Sequence, residues 1–241
     1  MSISENWSEL RARVAAATAG AGRSLESVRI VAVSKTFPAS SAQAAYDAGA
    51  RVLGENRVQE ALPKMEALPC DAEWHLIGHL QTNKVRLAIG RFSLIHSIDS
   101  VRLANDLQRQ AERQELVQPI LLQVDVAGED TKSGFAPDEL TAAAREIARL
   151  DRLRPRGLMT IGPPVDDPEN ARCVFRRLRE LRDGLRQDVP GATWNELSMG
   201  MTHDFEVAIQ EGATLVRVGR AIFGERPAGA DAAPPPVAAN R

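Results

Sequence analysis

Residues 29–37 read RIVAVSKTF, and the rest of the chain is best read outward from them. Ile30, Val31, Ala32 and Val33, followed by Ser34, make a short continuous apolar run, the pattern of a strand covered on both faces. Lys35 comes directly after. A lysine at the carboxyl end of such a strand points into whatever cavity the fold opens there. Desolvation lowers the proton affinity of its amine and makes it nucleophilic toward carbonyls. The competing reading is a solvated surface charge whose stem lies along apolar neighbours.

Outward from this strand, helical and strand patterns alternate. Upstream, residues 4–19 read as a lead-in helix with Trp7, Leu10 and Val14 at helical spacing. Downstream, Pro38 to Ser41 open a helix that stops at Gly49. Further strands are expected at 51–56, 73–77, 94–97, 119–126, 156–159, 195–198 and 214–218. Helices are expected between them at 57–67, 83–89, 101–114, 137–150, 168–187 and 203–211, with Asp99 and Ser100 as cap candidates. Ala171, Val174, Phe175, Leu178, Leu181 and Leu185 give the clearest amphipathic stripe. Eight strands alternating with helices predict an α/β fold, a single (β/α)8 TIM barrel with an N-terminal lead-in helix. An open doubly wound sheet is the competitor, but the glycine fingerprint that would favour it is absent after the first strand. The barrel is assigned to residues 1–227, and the Ala/Pro-rich residues 228–241 are expected to be disordered.

The formal charge of -2 in 241 residues gives no compositional sign of nucleic-acid binding. No apolar run approaches the ~18 residues of a spanning helix, so no membrane is expected. The polar, acidic start MSISENWSEL lacks the plan of a secretion signal. Two distant cysteines, Cys70 and Cys173, fit a cytoplasmic location better than a disulfide, and with four scattered histidines they show no zinc-like spacing.

Barrels place chemistry at the carboxyl ends of strands, with phosphate commonly after strands seven and eight. Here those places read Leu197-Ser198-Met199-Gly200-Met201-Thr202 and Val216-Arg217-Val218-Gly219. Backbone N–H groups and the Ser198 and Thr202 hydroxyls can face an anion at the start of a helix, and Gly200 and Gly219 permit close approach. A merely capped helix is the plain alternative. Arg217, in an otherwise apolar strand, needs a partner: a ring nitrogen of a bound ligand, or an internal acid such as Glu55. Asn56, His79 and Met159 follow or end strands two, three and six and are further candidates for the mouth. Asp125 could face the cavity, His203 is expected on the surface, and Glu129-Asp130 reads as a solvated pair.

Five stretches in order, VAVSKT, GENRVQE, WHLIGHLQTNK, LSMGMTHDFEVAI and VRVGRAIFG, resemble the YggS/PROSC family of pyridoxal phosphate homeostasis proteins, over roughly residues 5–227. The resemblance implies a barrel like that of alanine racemase, the fold type III of pyridoxal 5'-phosphate (PLP) proteins. It implies that Lys35 carries PLP as a Schiff base, and that Ser198, Gly200, Thr202, Val218 and Gly219 hold the phosphate. It also puts Arg217 at the pyridine nitrogen, leaving that nitrogen unprotonated, with Asn56 and His79 near the ring. Arg57 stands where the family commonly has an aromatic, and Asp125 where it commonly has asparagine.

A racemase of this type needs a proton-transfer group on each face of the substrate. Lys35 supplies one. In the resembled racemases a tyrosine of a second domain supplies the other, whereas the only tyrosine here, Tyr46, is predicted on an outer helix. A PLP-binding homeostasis protein that stores, shields and delivers the cofactor to apo PLP-dependent enzymes is therefore expected, and a monomer. The alternatives are a one-face PLP enzyme (slow racemase, lyase or decarboxylase) with His79 or water as second acid/base, and a cofactor-free Schiff-base aldolase. The latter usually draws its lysine from strand six, which has none here.

Overall fold

The computed structural model describes residues 1–128 and 133–225. The Glu129-Asp130 pair and the Ala/Pro-rich tail lie outside the described residues. Eight parallel strands close into a barrel in sequence order. They are β1 Arg29–Val33, β2 Val52–Glu55, β3 Glu73–Leu76, β4 Leu94–Ile98, β5 Gln118–Gln123, β6 Leu153–Met159, β7 Glu196–Ser198 and β8 Leu215–Val218. The ring is sealed by β1 against β8, with Val31 opposite Arg217 and Ala32 opposite Val218. Every residue of β2, β4 and β8 is buried, which is why these strands read as apolar runs rather than alternations.

The outer ring comprises α1 Ile3–Gly20, α2 Ala39–Asp47, α3 Val58–Ala67, α4 Val85–Ala88, α5 Val101–Arg113, α6 Leu140–Ile147, α7 Arg172–Asp188, α8 Phe205–Gln210 and α9 Arg220–Phe223. A capping box of Ser2 and Glu5 starts α1. The helix buries Trp7, Leu10, Val14 and Thr18, and Asn6 Nδ2 donates to Ile222 O at 2.9 Å. Ser100 caps α5, accepting from Leu103 N at 3.2 Å. Along α7 the expected stripe is buried except Leu181, which is half-buried, while Arg182 is buried beside it. No helix among the described residues is long and apolar enough to cross a membrane.

Two differences from the sequence reading have a local cause. Strand six begins at Leu153 rather than residue 156, because Pro155 reads as a strand breaker yet sits at a register shift. The β5–β6 ladder pairs Ile120 with Pro155 and then Leu121 with Gly157, leaving Arg156 as the extra residue. A short helix, α9, follows β8 where none was expected.

Two bodies of apolar side chains result. The larger fills the space between sheet and helices. The smaller lies inside the barrel: Val31, Val52, Leu94, Leu121, Met159 and Leu215, with Ile77 packed against it. Met159 is therefore part of the plug beneath the mouth.

Candidate functional site

Above that plug, at the carboxyl ends of the strands, lies a cavity of about 380 Å³. Lys35 and Val33 from β1, Ile77 after β3, Arg217 and Gly219 from β8, and Thr202, His203 and Asp204 from the loop after β7 line it. Pro163, Pro164 and Val165 form one rim and Arg220 another.

Lys35 is presented by a tight turn. Phe37 N donates to Ser34 O at 3.1 Å, and Thr36 has φ 70. This is the corner that glycine normally takes, and a β-branched residue there is strained. The Thr36 hydroxyl is buried without a hydrogen-bond partner in the structure. The turn is held from below. Lys64 Nζ, buried on α3, donates to Ser34 O at 2.8 Å and to Glu55 Oε1 at 2.6 Å, while Ser34 Oγ donates to the same Glu55 oxygen at 2.6 Å. Burial pushes the Glu55 carboxyl up, against the pull of Lys64 and Ser34. Glu55 is thus the partner of Lys64 and not of Arg217.

Arg217 is buried at the cavity floor. Nη1 donates to Ser198 Oγ at 2.6 Å and Nη2 to Thr160 O at 2.8 Å. Burial lowers its pKa to about 10, so the guanidinium is charged at neutral pH. The opposite wall supplies the rest of a polar column: His96 Nδ1 lies 2.9 Å from Ser198 Oγ, and His96 Nε2 lies 3.0 Å from His75 Nδ1. Burial drives the His75 pKa down to about 3 and that of His96 well below the usual range. Both imidazoles are neutral.

The loop after β7 brings Thr202, His203 and Asp204 to the cavity. Asp204 Oδ1 accepts from Met201 N at 2.6 Å, and burial raises its carboxyl pKa. Among the described residues the N–H groups of Thr202 and His203 have no backbone or side-chain acceptor. Gly200 adopts φ +88, and a Cβ there would sit 2.5 Å from Ala208 Cβ and 3.0 Å from Phe205 Cα. Gly200→Ala should therefore lower stability by about 1–3 kcal/mol in urea unfolding, through strain and overpacking together; a neutral result would refute the close approach. At Gly219 a Cβ would lie 3.3 Å from Val33 O, so the loop after β8 passes directly over the end of β1.

Of the residues expected at the mouth, Lys35, Thr202, Arg217 and Gly219 meet around this one cavity. Ser198 touches it through Arg217, Gly200 bends the loop, and Val218 is buried in β8. Asn56 is half-buried and is not a lining residue. Its backbone crowds Gly78, where a Cβ would meet Asn56 O at 2.4 Å. His79 faces away: it is exposed, with Nδ1 3.0 Å from Asp99 Oδ2, in a separate hollow with Ser100 and Arg102. Asp125 Oδ1 accepts from Gly128 N at 3.1 Å, and Arg57 is exposed and pairs with Glu60 at 3.2 Å; neither lines the cavity. His203, expected on the surface, is exposed but also forms part of the rim. The sequence reading missed Asp204, which lines the cavity, and Lys64, His96 and His75, which stand in the hydrogen-bond networks behind it. For the histidines a signal existed, since His75 shares strand parity with Ile77, and His96 with Leu94.

The family model of the alanine racemase N-terminal domain matches residues 2–227. A pyridoxal phosphate homeostasis protein of Aquifex aeolicus is 46% identical over 94% of this chain and 99% of its own length. That of Escherichia coli is 42% identical over 93% of this chain and 97% of its own. The solved structure of PipY from Synechococcus elongatus with PLP bound is 38% identical, covers 92% of this chain and 100% of its own, and superposes with a TM-score of 0.81. With this coverage and identity, the chain belongs to the YggS/PROSC family of pyridoxal phosphate homeostasis proteins, built on the alanine racemase N-terminal domain.

Proposed function

We propose that this chain binds pyridoxal 5'-phosphate at the barrel mouth, with Lys35 as covalent anchor, and serves intracellular PLP homeostasis rather than catalysis. One observation carries the reading: a lysine on a held turn and a buried, charged arginine share a cavity of about 380 Å³ with a loop in which the Thr202 and His203 N–H groups have no acceptor among the described residues. When bound, PLP supplies an aldehyde that condenses reversibly with a lysine amine, releasing water. The donor set fits. Thr202, the backbone at His203 and Gly219 would receive the phosphate, and Arg217, which can only donate, would face the ring nitrogen. Ser198, Gly200 and Val218 support these groups from behind.

The homeostasis reading is supported by what the mouth lacks for two-sided proton transfer. Tyr46 lies on α2, hydrogen-bonded to Asp71, away from the cavity. His79 is turned outward. The Aquifex aeolicus and Escherichia coli relatives are named homeostasis proteins. A one-face PLP enzyme is the alternative, and it would draw on His203 at the rim. A cofactor-free aldolase is disfavoured, since β6 reads LRPRGLM without a lysine. A cytoplasmic monomer delivering PLP to apo-enzymes completes the proposal.

The test is an absorption spectrum of the purified protein before and after borohydride, with peptide mapping. A yellow protein that bleaches and carries a pyridoxyl adduct on Lys35, both lost in Lys35→Ala, is the expected result. A colourless protein that takes up no added PLP would refute it. Turnover of an amino acid by pure protein, lost in His203→Ala, would favour the enzyme reading over the carrier.

A further inference from the structure

The polar column inside the barrel has a direction that donor and acceptor counting fixes. Arg217 has donors only, so Ser198 Oγ accepts from Nη1 at 2.6 Å. The Ser198 hydroxyl keeps one proton, and its other polar neighbour among the described residues is His96 Nδ1 at 2.9 Å. If that proton goes to Nδ1, His96 carries its own on Nε2 and donates it to His75 Nδ1 at 3.0 Å. His75 then carries its proton on Nε2, which faces the Glu73 carboxylate at 3.9 Å. In the reverse arrangement the Ser198 proton has no acceptor among the described residues, and a bare His75 Nε2 faces a carboxylate. Leaving a buried donor unmet is the costlier choice. A donor-only cation at the mouth and an acceptor-only anion at the far end therefore polarise the whole file in one sense.

We infer that Arg217, Ser198, His96 and His75 form a one-way hydrogen-bond column along the barrel axis, and that His96 is a positioning residue for the cofactor site. It acts by taking the Ser198 proton, which leaves the Ser198 lone pairs to seat Arg217. Ser198 then has no hydroxyl donor for phosphate, which falls to Thr202 and the backbone. The positioning role rests on the PLP-binding reading above; the direction of the column does not.

The test has two parts on the full chain. In cofactor-free protein labelled with 15N-histidine, both buried imidazoles should give the Nε2–H tautomer pattern, assigned with His75→Gln; an Nδ1–H pattern at either would overturn the column. In PLP titrations, His96→Phe should weaken retention about tenfold and move the visible band, because the Ser198 proton loses its acceptor. His96→Asn, whose Oδ1 can accept in place of Nδ1, should restore the band and most of the affinity while still losing the link to His75. Equal losses in both variants, or unaltered spectra and affinity in both, would overturn the positioning role even if both variants lose stability. Failure of the unaltered protein to take up PLP would overturn the functional reading and the positioning role with it, while the tautomer spectra still decide the column.

Discussion

Lys64→Met should destabilise the protein by about 3–5 kcal/mol, far more than an ordinary exchange of a helix lysine. The Lys64 and Glu55 side chains are 8% and 0% exposed, so the pair stands almost wholly out of water. Removing the ammonium leaves the Glu55 carboxylate, at the end of β2, with Ser34 as its one hydrogen-bond partner among the described residues, since its second oxygen has none there. It also releases Ser34 O, one residue before Lys35. Urea unfolding of the single variant and of Lys64→Met/Glu55→Gln separates the causes. If the buried charge is the cost, the double variant regains at least half the loss. A single-variant loss below about 1 kcal/mol, the range of exposed pairs, would mean that the pair is not buried as described. PLP retention should fall in both variants, because neither restores the hold on Ser34 O.

The second large effect is loss of stability in mild acid. The His75 pKa is lowered to about 3, and that of His96 lies well below its usual value. Burial is the main cause, reinforced for His75 by Arg29 and for His96 by His75, Arg217 and Arg29. Glu73 also faces His75, at 3.9 Å. In the unfolded chain both imidazoles titrate near pH ~6.5. Between there and the depressed native values the unfolded state binds two protons that the native state refuses, so stability is full above that range and falls as pH falls. Each proton is worth about 1.4 kcal/mol per pH unit once the unfolded histidine is charged, giving a loss of about 3 kcal/mol between pH ~6.5 and ~5 for the pair. Glu55 and Asp204, whose carboxyl pKa values burial raises, work in the opposite sense. The discriminating measure is therefore the difference between variants: His75→Gln should halve the histidine slope in urea unfolding across this window. A pH dependence that is the same in the parent protein and in His75→Gln would sink the claim.

The barrel was legible because its strands are covered on both sides and so read as short apolar runs between amphipathic helices. Lys35 and Arg217 were legible because a charge at the end of such a run has few places to go. What was not legible depends on closure. Ser198 and His96 are 102 residues apart, and only the curvature of the ring brings β7 opposite β4. Lys64 falls within the helix expected at 57–67, and nothing in that pattern marks it as buried, yet it reaches Glu55 at the end of β2 and is covered there. His79 seemed to follow β3 into the mouth, but it stands exposed beside Asp99, outside the cavity. Each miss concerns a direction or a distant partner, which neither period nor propensity records.

The seam between β1 and β8 also bears on how the protein comes into being. The strand that leads to Lys35 leaves the ribosome well before its partner strand and the loop over its end. The tie from Asn6 to Ile222 spans 216 positions. Such distant pairings must wait for the intervening chain, and they set the pace of folding. A nascent chain interrupted before Gly219 would have the lysine but neither the floor arginine at its final pairing nor the covering loop. Lys35 thus gains its cavity only when β8 docks against β1.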